Sequence, residues 1–396
     1  MIKYFLFRKN AIIETYLSAM IGLSVVSFLP IFRLGMVPVG LLLIFPIACW
    51  LLFDILANHR RLDKFEITYF LYVITSIPSL LLGLFEVGLS SFYVFVYSSV
   101  VIIVSLAMSF SKVRLKIILW LLFVVLTILT ILGWVFRIGI LDPSIVFEAA
   151  ESSELLVGYW GIRYSPSTRN ADYFYPLFAV LLANILITKT TVRNFLTLIF
   201  LGTVVLSLSR AGLISSILIG IVFWKEQGVI RGFINIVLPL LFVVFLGIKA
   251  EIIGPETLDV IVDIFNSILE GGSRFSNNDR KEILFYTLRE IVLHPFGTGI
   301  DNFHLPGLNT ASAENAFFTV LLERGWVSGF LFMSVLLRMI SIEKIWKSKV
   351  ALTMMITAIY LTFNYELNNL SMSVMLGVIF SMRKSYIYGE RFGTML

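Results

Sequence analysis

Apolar residues along this chain fall in long blocks rather than in the alternation of a half-buried strand or the narrow stripe of a surface helix. Ile12 to Phe32, Met36 to Leu56 and Leu115 to Arg137 each approach or exceed the ~20 residues needed to cross a hydrocarbon core as helix. Continued along the sequence, the windows place spans near 11–31, 36–57, 66–85, 90–110, 115–137, 172–188, 193–209, 211–225, 231–249, 324–341, 349–365 and 369–382. The pattern predicts an all-α polytopic membrane protein of about twelve transmembrane helices. It shows no internal repeat, low-complexity tract or detached soluble segment, so residues 1–396 read as a single transmembrane domain.

Alternate loops carry the lysines and arginines. Lys3, Arg8 and Lys9 at the amino end, then Arg60, Arg61 and Lys64, Lys112, Arg114 and Lys116, and Lys189 with Arg193 lie on one side. Lys225 and Arg231, then Arg338, Lys344, Lys347 and Lys349, and finally Arg383, Lys384 and Arg391 join them. The positive-inside rule makes this side, and both termini, cytoplasmic. The first apolar run is long and lacks a small-residue cleavage site, so it reads as a retained helix. Two external loops are long, residues 138–171 and 250–323. Within the second, Asn278 or Asp279 is placed to cap a helix running to about Leu293, ahead of Pro295. Leu284, Leu288, Ile291 and Val292 share one face of it, with Glu282 and Arg289 roughly opposite, as in an amphipathic helix on a bilayer or bundle.

Composition agrees: 58% of residues are hydrophobic, 14% are charged and the mean hydropathy is +0.93, which excludes an ordinary soluble domain. The net charge of +6 is scattered between apolar blocks and forms no basic face for nucleic acid. Cys49 is the single cysteine, so intramolecular disulfides and cysteine metal clusters are excluded.

The basic residues left outside are mostly arginine, the planar fork that grips phosphate or carboxylate in a bidentate manner. Four stretches stand out. Ser207 to Gly212 puts Arg210 at the outer end of a span beside small residues, where it either snorkels to the interface or serves a site. Arg163, Arg169 and Asn170 precede a span, where free N–H groups add to the cations for an anion, or simply form a solvated loop. Arg280 opens the amphipathic helix, and Pro295-Phe-Gly297-Thr-Gly299 follows it as a tight turn, with Asp301, His294 and His304 nearby. No nucleotide-binding loop is implied, and the histidines lack metal-ligand companions. Glu314 and Asn315 then lead to Glu323-Arg324-Gly325. Glu314 is either a general base at the membrane mouth or a carboxylate favoured by a helix N-terminus, and Glu323 and Arg324 can pair with neighbouring charges.

In order and spacing, Leu206 to Gly212, Arg280 to Gly299 and Glu314-Asn315 to Gly325 resemble the bacterial O-antigen polymerase and O-antigen ligase family. Arg169-Asn170 looks like that family's earlier external loop. The resemblance covers roughly residues 160–335 and implies a GT-C-like glycosyltransferase bundle in the bacterial inner membrane, active on its periplasmic face. It implies a donor glycan on undecaprenyl diphosphate, membrane lipid and a chain-length regulator protein as partners, no nucleic acid and no cofactor or metal. Carried onto this sequence, it makes Glu314 the base and Arg210 and Arg280 catalytic, with Arg163, Arg169, Asn170, Arg289, His304, Asn315 and Arg324 holding diphosphate or glycan. Ligases show a His-Asn pair where this chain has Glu314-Asn315, which puts a polysaccharide polymerase ahead of a ligase. A flippase or transporter fits the same topology, but transporters mass polar groups at the midplane and show repeat symmetry.

Overall fold

The computed structural model describes residues 2–26, 33–34, 37–58, 62–110, 115–137, 171–206, 210–227, 275–302, 316–340, 348–363 and 370–387. Among them the chain is helical apart from turns and a two-residue hairpin. In chain order the helices are α1 (Ile2–Val25), α2 (Val39–Asn58), α3 (Lys64–Thr75), α4 (Ile77–Glu86), α5 (Leu89–Phe110), α6 (Leu115–Arg137) and α7 (Ala171–Leu186). There follow α8 (Thr190–Leu206), α9 (Arg210–Gln227), α10 (Phe275–Leu293), α11 (Ala316–Met339), α12 (Lys349–Phe363) and α13 (Leu370–Ile387). Strands β1 (Arg33–Leu34) and β2 (Val37–Pro38) pair antiparallel before α2, Arg33 opposite Pro38.

Among the described residues, four stretches are long and apolar enough to cross a membrane: Lys64–Glu86, Leu89–Ser109, Leu115–Leu132 and Ala316–Met339. Ile12–Val25, Val39–Leu51, Tyr175–Leu186, Thr190–Val204, Lys349–Thr362 and Leu370–Arg383 are shorter apolar helices. These ten coincide with ten of the windows expected from hydropathy, and an eleventh window matches α9. The window at 231–249 lies outside the described residues.

Three details differ from the sequence expectation. The window at 66–85 is two helices, α3 and α4, meeting at Ser76, which caps the end of one and the start of the other with Pro78 just inside α4. The helix expected to start at 324 begins at Ala316, because Phe317 to Leu322 belongs to it, and it breaks at Gly325, whose φ is 81°. Finally, α10 begins at Phe275, so Asn278 and Asp279 lie inside the helix rather than at its cap.

The chain divides into two compact units, residues 1–122 with 283–396, and residues 123–282. In the first, α13 packs along α5, α11 along α3, and α1 against α2 and α13. Gly377 of α13 makes the approach to α5 possible, since a Cβ there would lie 2.6 Å from that of Val104. Phe65, Tyr69 and Phe380 meet edge to face, Phe65 and Phe380 with centroids 4.5 Å apart. At one end of this unit Asp63 forms a capping box with Glu66 and pairs with Arg383 at 3.2 Å. Beside it Arg338 donates to the Lys64 carbonyl and to Thr68. At the other end the Ser90 hydroxyl bonds the Asp301 carboxylate. In the second unit α7 and α8 pair, with α9 against both, and buried Asn184 donates to Thr197 at 3.2 Å.

Candidate functional site

The break in α11 lies beside Arg324 and meets the turn that follows α10. In an unbroken helix the carbonyls of Leu322 and Glu323 would accept from amides four residues on. Gly325 turns the chain away, and those carbonyls accept instead from Thr298 at 2.8 Å and Gly299 at 3.1 Å, in the turn that follows α10. The amide of Trp326 returns the exchange, donating to the Pro295 carbonyl at 2.9 Å. The expected Pro-Phe-Gly-x-Gly turn is thus a backbone clasp across a broken helix.

Glycine is required at the crossing points. Gly297, Gly299 and Gly325 have φ of 89°, 111° and 81°, and a Cβ on Gly297 would lie 2.4 Å from the Glu323 carbonyl oxygen. On the opposite side of the turn Gly83 of α4 meets Ile300, where a Cβ would lie 2.5 Å from the carbonyl oxygen. The Ile300 amide donates to the Ser79 carbonyl at 3.0 Å, the Ser79 hydroxyl donates to the Phe296 carbonyl at 3.0 Å, and the Ser91 hydroxyl donates to the Ile300 carbonyl at 2.7 Å. Asp301, with φ of 62°, ends the turn against Ser90.

Arg324 lies beside the clasp and is buried, with only 2% of its surface exposed. Its Nη2 donates to the Ser98 hydroxyl of α5 at 2.7 Å and its Nη1 reaches the Ser76 hydroxyl, where α3 meets α4, at 3.5 Å. Each serine spends its own proton on the carbonyl four residues earlier, Ser98 on Val94 and Ser76 on Tyr72. Only lone pairs remain to face the guanidinium. The Tyr72 ring lies 5.2 Å from the guanidinium carbon, completing a cation–π contact. Arg324, expected to hold diphosphate or glycan, therefore sits inside the bundle, with two broken helices and α5 around it.

Arg289 is exposed on α10, and His294 pairs with Glu290 at 3.3 Å. Arg210 and Arg280 are the first residue of α9 and the sixth of α10; the placement of their side chains lies outside the described residues. So do Arg163, Arg169, Asn170, His304, Glu314 and Asn315. Among the described residues no group of three or more His, Cys, Asp or Glu is arranged to hold a metal ion.

Sequence reasoning missed the serines and glycine contributed by the early helices: Ser76, Ser79, Gly83, Ser90, Ser91 and Ser98. A signal was present in α5, where Ser91, Ser98 and Ser105 recur every seven residues and so share one face, and all three are buried.

Residues 195–333, about a third of the chain, match the family model of the O-antigen ligases. The match starts in α8, contains Arg210, Arg280, Glu314 and the whole Pro295–Asp301 turn, and ends beyond the break in α11. No match is found among curated proteins.

Proposed function

We propose that this chain is a glycosyltransferase of surface-polysaccharide assembly, a polymerase of O-antigen or a related exopolysaccharide or capsule. The observation that carries the glycosyltransferase reading is the family match over residues 195–333, which takes in each segment singled out for chemistry from Arg210 onward, and Glu314-Asn315 in place of a His-Asn pair is what puts polymerase first. In the reaction, a hydroxyl at the non-reducing end of one lipid-linked repeat attacks the anomeric carbon of a glycan held on undecaprenyl diphosphate. The new glycosidic bond forms as the bond to the diphosphate oxygen breaks. Glu314 takes the hydroxyl proton, and the lipid diphosphate leaves with both electrons of its bond.

Arg210 and Arg280 neutralise the charge that grows on the leaving diphosphate, where fixed cations lower the barrier most. Arg163, Arg169, Asn170, Arg289, His304 and Asn315 orient diphosphate and sugar. The site faces the periplasm, in the inner membrane, within a GT-C-like bundle. The clasp around Gly325 holds Arg324 away from open solvent, which favours a positioning role for it over direct contact with the donor. Transfer of the finished glycan to a lipid or protein acceptor, the ligase reaction, is the second reading, and the description of the matching family favours it.

The test is a deletion strain complemented with Arg210→Ala, Arg280→Ala or Glu314→Gln, read as glycan banding with membrane levels of the protein checked in parallel. A single repeat on the lipid anchor is the expected pattern. Long polymer that stays unattached would indicate the ligase reaction, and unchanged long-chain glycan in all three variants would sink both readings.

A further inference from the structure

We infer that residues 284–293 of α10 and the turn at 295–300 form a re-entrant element sunk into the outer leaflet of the membrane, with Leu284, Phe285, Leu288, Val292 and Phe296 against lipid acyl chains. Depth is the first argument. The turn is bonded through Ile300 and Phe296 to Ser79, seven residues and so about 10 Å below the outer end of α4 at Glu86. On the other side Thr298 and Gly299 bond Leu322 and Glu323, six and seven residues into α11, again about 10 Å from its start. Both helices belong to stretches long and apolar enough to span a bilayer. Two separate rulers therefore put Phe296 to Gly299 at one depth, while Ser90 and Ser91, within two residues of the start of α5, hold Ile300 and Asp301 at its outer end, so the element dips and returns.

The bonding of the turn is the second. Non-helical backbone at membrane depth survives only where protein satisfies it. The carbonyls of His294, Pro295, Phe296, Thr298, Gly299 and Ile300 all accept hydrogen bonds, the one on Thr298 from the Asn302 side chain. Gly297, Gly299 and Ile300 are buried.

The third is the division of α10 into sectors. At about 100° per residue, Thr287 and Ile291 fall on one side, and both are buried, Ile291 packing with Leu321 and Leu322 while its carbonyl accepts from the Trp326 indole at 2.7 Å. Leu284, Leu288, Val292 and Phe285 fill the next sector and are exposed, Phe285 by 74% and Val292 by 68%. Tyr286, Arg289, Glu290 and one exposed leucine, Leu293, occupy the remainder. A helix resting on a bundle in water needs only a protein side and a wet side. The Trp326 indole bonded to the Ile291 carbonyl ties this helix to the spanning stretch whose Trp326, Val327 and Phe330 are exposed, so lipid is the occupant of the additional exposed apolar sector.

Single cysteines at Leu288, Val292, Phe296 and Arg289, with Phe330 as the spanning reference, placed in the full chain carrying Cys49→Ser, test this. Each is labelled with a nitroxide in phosphatidylethanolamine–phosphatidylglycerol vesicles, and its collisions with oxygen and with a soluble nickel chelate are measured. Labels at 288, 292 and 296 should show an oxygen-to-nickel ratio close to that at 330 and several-fold above that at 289. Equal nickel access at 288, 292 and 296 to that at 289 would put the helix in water and overturn the inference. Protection from both reagents at 288 and 292 would overturn it too, reporting a protein partner or a second copy. The readout needs no turnover, so it stands or falls apart from the proposed reaction.

Discussion

At the scale of single residues, Gly88 and Gly297 separate backbone conformation from surroundings. Their φ angles are 88° and 89°, yet a Cβ on Gly88 would meet nothing within 4 Å while one on Gly297 would strike the Glu323 carbonyl. Gly88→Ala should cost about 1 kcal/mol, the strain of a left-handed alanine alone. Gly297→Ala should cost about 2–4 kcal/mol, because the carbonyl it displaces is the one that Gly299 bonds. Thermal unfolding in detergent micelles checks the pair, and equal losses would mean that the clasp does not constrain the turn. The Arg324–Ser98 bond allows a second test. A double-mutant cycle with Arg324→Met and Ser98→Ala should give a coupling of about 1.5–3 kcal/mol, as for a hydrogen bond to a charged group. The cycle cancels the bond that Ser98 also makes to Val94, so additive losses would show that the guanidinium draws nothing from Ser98. Sequence identified Arg324 but misjudged its surroundings. Glu323-Arg324-Gly325 interrupts the apolar run, so hydropathy started a helix there and left the arginine at the mouth. The structure continues that helix back to Ala316 and buries it.

At the scale of elements, hydropathy located helices well and breaks poorly, for one physical reason. A window average responds to the transfer free energy of side chains, and it drew α6 at Leu115–Arg137 as the structure has it. It carries no information on φ and ψ, so the junction of α3 and α4 at Ser76 and the turn at Gly325 passed as continuous helix or as an end. Residue types did mark both places: serine followed by proline two positions on, and an isolated glycine in a helical run. Pro295-Phe-Gly297-Thr-Gly299 was legible as a tight turn, but its partners were not. Some lie across the break in α11, and the others more than two hundred residues earlier in α4, where Ser79 and Gly83 belong to no local pattern. The face predicted for α10 was legible only in part. Ile291 turns to the bundle while Leu284, Leu288 and Val292 turn out, a division set by where α11 lies and invisible in the helix's own periodicity.

At the scale of the whole molecule, the sidedness read from loop charges makes a demand on the first unit that its hydrogen bonds meet. Loop charge assigned Lys64, Arg338 and Arg383 to one side, and the structure brings them together, Arg338 on the Lys64 carbonyl and Arg383 on Asp63. The loop after α4 and the turn after α10 were assigned to the opposite side, and Ser90 and Asp301 are bonded there. Those contacts fix which ends share a face, while the positive-inside rule says which face is cytoplasmic. Single cysteines in the full chain with Cys49→Ser, at Leu62, Gly88, Asn302 and Ile340, separate the two claims. A membrane-impermeant maleimide applied to intact spheroplasts should label 88 and 302 and spare 62 and 340 until the membrane is opened. Labelling of 62 and 340 alone would keep the arrangement and invert the protein, carrying the turn to the side opposite the one proposed for the reaction. Labelling of 88 without 302 would be worse for the structure, since it would place the two ends of the Ser90–Asp301 contact on opposite sides of a bilayer whose hydrocarbon core alone is about 30 Å thick.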